Sequence, residues 1–491
     1  NLAASTMGGT FSGTATTGDI SDSGMLTITG AATFITTAAN RHIILDESDS
    51  VFASTVTLQA GDGSNAAFGN ITFVDSAAVR LHSSAASAGD LYINASTDLA
   101  VGGNLNITAT TGNITQGAAV TVTGTSSFTT LATDADITLS SANALGGAVT
   151  LTTAGSGGNA TLNNGTTALD IAASTVRGNL TLTSGNASGI TDSGLVTVGG
   201  NFSATTNANN GDINMGTLAV TGTIALTTND AANNNTGHAT VVNATQVTLA
   251  GSSVDGNLSA TATTGNMTDT GALTVTGTSS FTTSANDATI TLDTTTNAFT
   301  GAITITTNDN TGADADVIID GGTTALVIAA STIDGDLTLT SGATAGITDS
   351  GTVTVLGDIY LITDAGNGVI DMGTLAVTGS VDLATHGSGD ATLVNATALD
   401  FAASTVGGEL TATATTGNIT QSGSLDINGT GTTTITASAS GADITLFNAA
   451  NDFEGALSTA GDDVDLWSAD TLDLGAATVT GDYLVYAGTS I

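Results

Sequence analysis

The chain contains no cysteine, no proline and no lysine; its only basic side chains besides four histidines are Arg41, Arg80 and Arg177. Without cysteine there is no disulfide and no thiolate metal site, which suits a secreted protein. Without lysine there is no lysine-based isopeptide staple. Glutamate is confined to positions 47, 409 and 454, so the polar residues that favour helices are scarce. The charge of one sign is missing almost entirely: the net charge is -40, and neither nucleic acid nor an anionic membrane surface finds the bases it needs. No apolar run approaches the ~20 residues of a membrane span, and no basic-plus-apolar leader opens the sequence. The chain, beginning at Asn1, is therefore expected to be a processed product or a fragment.

What is present points to strands. Thr, Val, Ile and Leu favour extended structure, and 63 glycines with many Asn and Asp supply turns. Hydrophobic residues make up 40% of the chain and mean hydropathy is +0.28, enough to bury a core and set disorder aside. Charged residues are only 9%, so the acidity is expected to serve solubility and keep like-charged surfaces from pairing edge to edge.

Self-comparison carries the most information. One phrase recurs as AASTMGG at Met7, AASTVRG at Val176, AGSSVDG at Val254, AASTIDG at Ile333, AASTVGG at Val406 and GAATVTG at Val479. From Val176 on, these anchors recur at a block length of roughly 75 residues, and a weaker copy places Val101 one such block before Val176. Residues 1–100 read as an irregular first block with an insertion, and 101–491 as regular alternating blocks of one continuous solenoid. The alternation is visible in SANALGGA, TNAFTGA and ANDFEGA, which set Asn143, Asn297 and Asn451 at one constant interval, two blocks long. Within blocks, Leu180, Phe202 and Ile224, and again Leu337, Ile359 and Val381, recur with a period of about 22 residues.

That period is one coil, too small to stand alone, so each coil must bury its face against its neighbours. At ~3.3 Å per residue the perimeter is near ~70 Å, enough for three short strands and three corners. Leu26/Ile28, Leu273/Val275, Val353/Val355 and Leu425/Ile427 alternate with Thr or Asp, the pattern of half-buried strands. The fold class expected is all-β: a right-handed parallel β-helix, a β-solenoid with coils of about 22 residues, on the order of 105 Å long if about 22 coils stack at ~4.8 Å.

The phrases GNITQSGSLDINGT (Gly417 to Thr430), GNMTDTGALTVTGTSSF (Gly265 to Phe281) and NAANDFEGAL (Asn448 to Leu457), interleaved with the AAST copies along the chain, resemble large exoproteins of the filamentous haemagglutinin type and giant bacterial β-strand-repeat adhesins. That resemblance implies a bacterial cell-surface or secreted rod used in attachment and exported through a partner pore. The family-type N-terminal secretion domain and a non-repeating adhesive tip are not visible here.

Candidate sites compete with the needs of the repeat. The fifth position of the G-x-I-T-x-x-G corner is Asp22, Gln116, Asp192, Asp269, Asp349 and Gln421. Amide and carboxylate exchange there, which suits a backbone-bonding corner and not a hard cation. Two oxygen-rich clusters remain as Ca²⁺ candidates: Asp309, Asp314, Asp316 and Asp320, and Asp462, Asp463, Asp465 and Asp470 near Trp467. The copy of the first, Thr152 to Gly165, has Ser, Gly and Asn instead, so the fold does not require a metal. His42, His82, His238 and His386 share no ligand spacing. Arg41 to Ser50, with Arg80 and His82, is the most charged neighbourhood and reads as a solvated insertion in place of a catalytic face. Thr-x-Thr strands raise ice binding, but Asn106, Ser259 and Asp426 interrupt the pairs.

The function expected is therefore not enzymatic and needs no organic cofactor: an extracellular fibre or adhesin rod presenting a repetitive Thr/Asn/Asp surface to glycans or other fibres. The alternative is a matrix or sheath filament whose subunits stack head to tail, because both ends resemble interior coils without caps.

Overall fold

The computed structural model describes the chain apart from residues 55, 61–69, 77–78, 82–98, 102, 110–111, 208–209, 230–235 and 309–313, and apart from the side chains of 59, 79–81 and 99–101. Among the described residues there is no helix. Short parallel strands, each stacked on the equivalent strand one coil earlier, build a β-solenoid. Contacts divide the chain into two compact units, Asn1–Thr245 and Gln246–Ile491.

The second unit shows how a coil is made. One long strand, such as Leu258–Ala262, lies in one sheet, and two three-residue strands, such as Met267–Asp269 and Leu273–Val275, lie in the other. Leu337, Ile359 and Val381 stack in register, as their spacing predicts. Leu273, Val275, Val353 and Val355 are buried while Thr274 and Thr354 face outward. The perimeter argument expects three strands and three corners in each coil. Three strands per coil are found; in the second unit they lie in two sheets, because a long strand such as Ile303–Asn308 pairs with both short strands of the next coil and holds them in one sheet, whereas the first coils of the first unit keep them in three separate sheets.

Every few coils the arrangement inverts. From Val247 to Asn308 the short strands lie in one sheet, which we call A, and the long strands in the other, B. Two long strands then follow in succession, Ile303–Asn308 in B and Val317–Asp320 in A, and the short pair Leu326–Ile328 and Ser331–Ile333 lies in B. A second inversion at Ser380–Ala384 and Ala391–Asn395 returns the short pairs to A. A block is thus three and a half coils, and each block starts half a turn round from the last. Two blocks make seven whole coils, which is why Asn143, Asn297 and Asn451 recur only in alternate blocks.

The first unit repeats the device. Val149–Ala154 and Ala160–Asn163 are successive long strands, followed by the short pair Leu169–Ile171 and Ser174–Val176. Its earlier part stacks a line of phenylalanines, Phe11, Phe34, Phe52 and Phe73, with ring centroids 5.0 to 6.1 Å apart.

The AAST phrase is the seam of this inversion. Ile303 pairs with Ile328 but Thr306 with Thr332, so the short-strand side carries one residue more, a β-bulge. Val149/Ile171 with Thr152/Thr175, and Val381/Phe401 with Ala384/Thr405, reproduce it. A bulge leaves a ladder N–H without its carbonyl, and the buried serine of the phrase fills the gap. Ser331 Oγ accepts the N–H of Ile305 at 3.0 Å and donates to Ala329 O at 2.8 Å. Ser174 does the same for Leu151 and Ala172, and Ser404 for Leu383 and Ala402. At the opposite seam a buried asparagine closes the ladder: Val220 N–H donates to Asn243 Oδ1 at 2.8 Å and Val377 N–H to Asn395 Oδ1 at 2.9 Å.

Candidate functional site

Several of the Gln, Asn, Asp and Ser side chains that recur between copies are occupied in joining coils. Gln116 and Asn143 exchange amide hydrogen bonds at 2.8 and 3.1 Å, as do Gln421 and Asn451 at 2.8 Å each. Asp269 accepts from Asn297 Nδ2 at 2.7 Å in the same place. Asp192 and Asp349 instead accept the backbone N–H groups of Gly216 and Thr217, and of Gly373 and Thr374. Either an amide or a carboxylate serves, since each offers the required acceptor. The turn before two of these corners needs glycine: Gly189 and Gly346 have φ of +68° and +63°, and a Cβ would lie 1.8 Å from the carbonyl oxygen of Asp212 or Val369.

Ladders of Asn and Asp run from coil to coil at the strand entrances. In the first unit the N–H groups of Asp136, Asn159, Asn179, Asn201 and Thr223 donate in turn to Oδ1 of Asn113, Asp136, Asn159, Asn179 and Asn201, at 2.8 to 2.9 Å. In the second unit the N–H groups of Asp336, Asp358 and Ser380 donate to Oδ1 of Asp316, Asp336 and Asp358 at 2.9, 2.7 and 2.6 Å. Asn159, Asn179 and Asn201 thus become Asp316, Asp336 and Asp358 two blocks later: the acceptor is kept and charge is added.

The Ca²⁺ candidates fall largely on this framework. Asp309 lies outside the described residues. Asp314 is exposed, Asp316 belongs to the ladder, and Asp320 accepts Gly322 N–H at 2.7 Å. Asp462 accepts the Thr480 hydroxyl, Asp463 accepts Asp482 N–H at 2.7 Å, and Asp470 accepts the Thr489 hydroxyl at 3.1 Å. Asp465 projects from Val464–Ser468 between Thr445 and Leu484. Among the described residues, no three His, Asp or Glu side chains converge as metal donors. His42 Nδ1 accepts Asn70 N–H at 2.9 Å, and the backbone N–H groups of His238 and His386 bond to Asp212 and Thr363. Arg41 pairs with Asp19 at 4.0 Å; His82 and the Arg80 side chain lie outside the described residues.

Burial raises the Asp336 carboxyl above the ordinary range, and the Asp316 and Asp358 carboxylates push the same way against the N–H of Asp358. Burial likewise raises Asp22, Asp320 and Asp382. A carboxyl raised by folding binds its proton more tightly in the folded chain, so its contribution to stability is greatest below the unfolded pKa and is lost as pH rises through the folded value. The melting temperature followed by circular dichroism should therefore rise as pH is lowered from about 7 towards about 4.5, just above the unfolded carboxyl range. A steady fall over that interval would contradict this balance.

The ladder allows a second expectation. Converting Asp316, Asp336 and Asp358 together to Asn preserves every N–H acceptor and removes stacked like charges. The triple variant should be more stable, by on the order of a few tenths of a kcal/mol per replaced carboxylate, with the gain shrinking in high salt. Urea unfolding at low and high ionic strength measures it, and a loss of stability would show that the carboxylates hold something the amides cannot.

Fold and ladders together define a repeat protein of the parallel β-solenoid class. The chain belongs to the family described as Repeats of unknown function (DUF5649), which matches residues 1–59, 83–152, 236–306 and 388–460, more than half its length. The later matches begin at 83, 236 and 388, one for every seven coils, and 236–306 and 388–460 each take in a block with its short strands in sheet A. No characterised protein and no solved structure matches the chain.

Proposed function

We propose that the chain is a structural segment of a bacterial extracellular fibre or adhesin rod, a passive surface that spaces and offers contacts and does not catalyse a reaction. The observation that carries this reading is the use made of the recurrent polar residues. The seam Ser and Asn side chains and the Asx ladders are spent on coil-to-coil bonds, while outward strand positions carry Thr, Ser and Asp at similar height in coil after coil. Such a design multiplies one surface and concentrates no chemistry. The likeness of its phrases to large exoproteins supports the same setting, and head-to-tail stacking into a sheath filament is the second form of that role.

Immunogold electron microscopy of native cells with antibody against this chain tests the reading. Label along fibres outside the cell is expected. Label confined to the cell interior would overturn it.

A further inference from the structure

Aromatic residues are scarce, 17 in all, and the largest fully buried side chains are phenylalanines such as Phe281, Phe299 and Phe401. Three aromatics break that pattern together. Val464, Leu466 and Ser468 point inward, so Trp467, the chain's one tryptophan, points outward with Asp465. Leu446, Leu466 and Val485 are in register, and Trp467 pairs with Tyr486, which places Phe447, Trp467 and Tyr486 on the outer surface of three successive coils. Phe447 and Trp467 meet edge to face at 5.1 Å, and Trp467 and Tyr486 stack at 5.5 Å with planes 25° apart. Phe447 and Trp467 are each partly exposed.

A cleft of about 330 Å³ opens beside this stack, lined by Gln421, Thr445, Phe447, Asn448 and Ala449. Its rim is uncharged and rich in hydrogen-bonding groups. Asn448 Oδ1 accepts Ala450 N–H at 3.0 Å, which leaves its amide nitrogen for a ligand, and Thr445 is exposed. Asp465, one coil on in register with Thr445, adds a carboxylate acceptor.

We infer that this surface binds a neutral, pyranose-containing polysaccharide. Aromatic faces pack against the apolar C–H faces of sugar rings, and the amide, hydroxyl and carboxylate groups match ring hydroxyls, the combination of an apolar floor and a few polar groups that fixes a ligand. The partner is neutral because the chain carries a net charge of -40, with Asp465 in register beside Thr445, and so repels polyanions. The inference gives the proposed contact role a ligand class and rests on that reading.

Because Trp467 is the sole tryptophan, the emission of the intact chain reports on this site alone. Titration with cellohexaose, laminarihexaose and maltohexaose should give a saturable shift with at least one of them. Tyr486→Ala and Asn448→Ala should each weaken it about tenfold with melting temperature unchanged, as loss of a contact residue does. No shift with any of the three, a shift only with polygalacturonate, a shift driven by protein concentration alone, or binding indifferent to both substitutions would overturn the site. Gold-labelled fibres together with unresponsive emission would remove the glycan site and leave the fibre reading standing.

Discussion

Val275→Asp should unfold the coils around it, whereas Thr274→Asp, one residue away, should leave circular dichroism and protease resistance unchanged. Val275 is 1% exposed and stacks on Val254 and against Phe299 in the ladder, so a carboxylate there loses water and gains no partner. The expected loss is at least about 4 kcal/mol, the range reached when an unpaired charge is buried. Thr274 faces solvent, and the same strand position is already Asp in Leu425–Ile427. Because a solenoid coil contacts mainly its neighbours, the damage in Val275→Asp should stay local and appear as new cleavage sites nearby. Equal behaviour of the two variants in urea unfolding and limited proteolysis would reverse the assigned facing.

Asn395→Leu should be the second costly change. Asn395 is 1% exposed; its Oδ1 takes the N–H of Val377, and its Nδ2 donates to Val377 O at 3.1 Å and Ala398 O at 2.6 Å. Leucine fills the volume but leaves a buried backbone N–H unpaired, a loss of about 1–3 kcal/mol for each such group. Asn243→Leu, the same position in the first unit, should lose as much, since it holds Val220 N–H and O in the same way. Asn179→Ala, on the exposed ladder, should change stability by less than about 0.5 kcal/mol because water replaces the lost acceptor. Equal effects at Asn395 and Asn179 in urea unfolding would count against the seam.

Much of this fold is legible in the sequence. The regular spacing of Leu337, Ile359 and Val381 is a stacking register, and the alternation in LTV and VTV strands is the facing of the side chains. The phrases AAST and SANAL mark the blocks, yet their spacing alone does not say what they do. Ser331 and Asn297 look like surface residues of a turn; they are buried because each supplies an acceptor to a buried ladder N–H, Ser331 at the seam and Asn297 at the corner between two short strands. The ratio of block length to coil length holds the signal, three and a half coils, but a perimeter that allows three strands per coil does not say which sheet each strand joins. The carboxylate clusters stand out as runs of Asp, and the structure disperses several of them onto separate coil-to-coil bonds. The aromatic stack is invisible in one dimension: Phe447, Trp467 and Tyr486 are separated by unequal stretches of chain, and turns of unequal length decide whether such residues meet.

The seam is open to direct measurement, because a chain without cysteine gives no background in cross-linking. Thr306 and Thr332 both face outward and pair across adjacent strands, while an unbulged ladder continuing from Ile303 and Ile328 would set Thr306 opposite Ser331, whose side chain points inward. Neighbouring strands lie about 4.8 Å apart, within the Cα separation a disulfide spans. Under mild oxidation, the double variant Thr306→Cys with Thr332→Cys should cross-link nearly completely. Thr306→Cys with Ser331→Cys should stay reduced. The opposite result would mean that the strands run on without a bulge and that the blocks do not invert by half a turn.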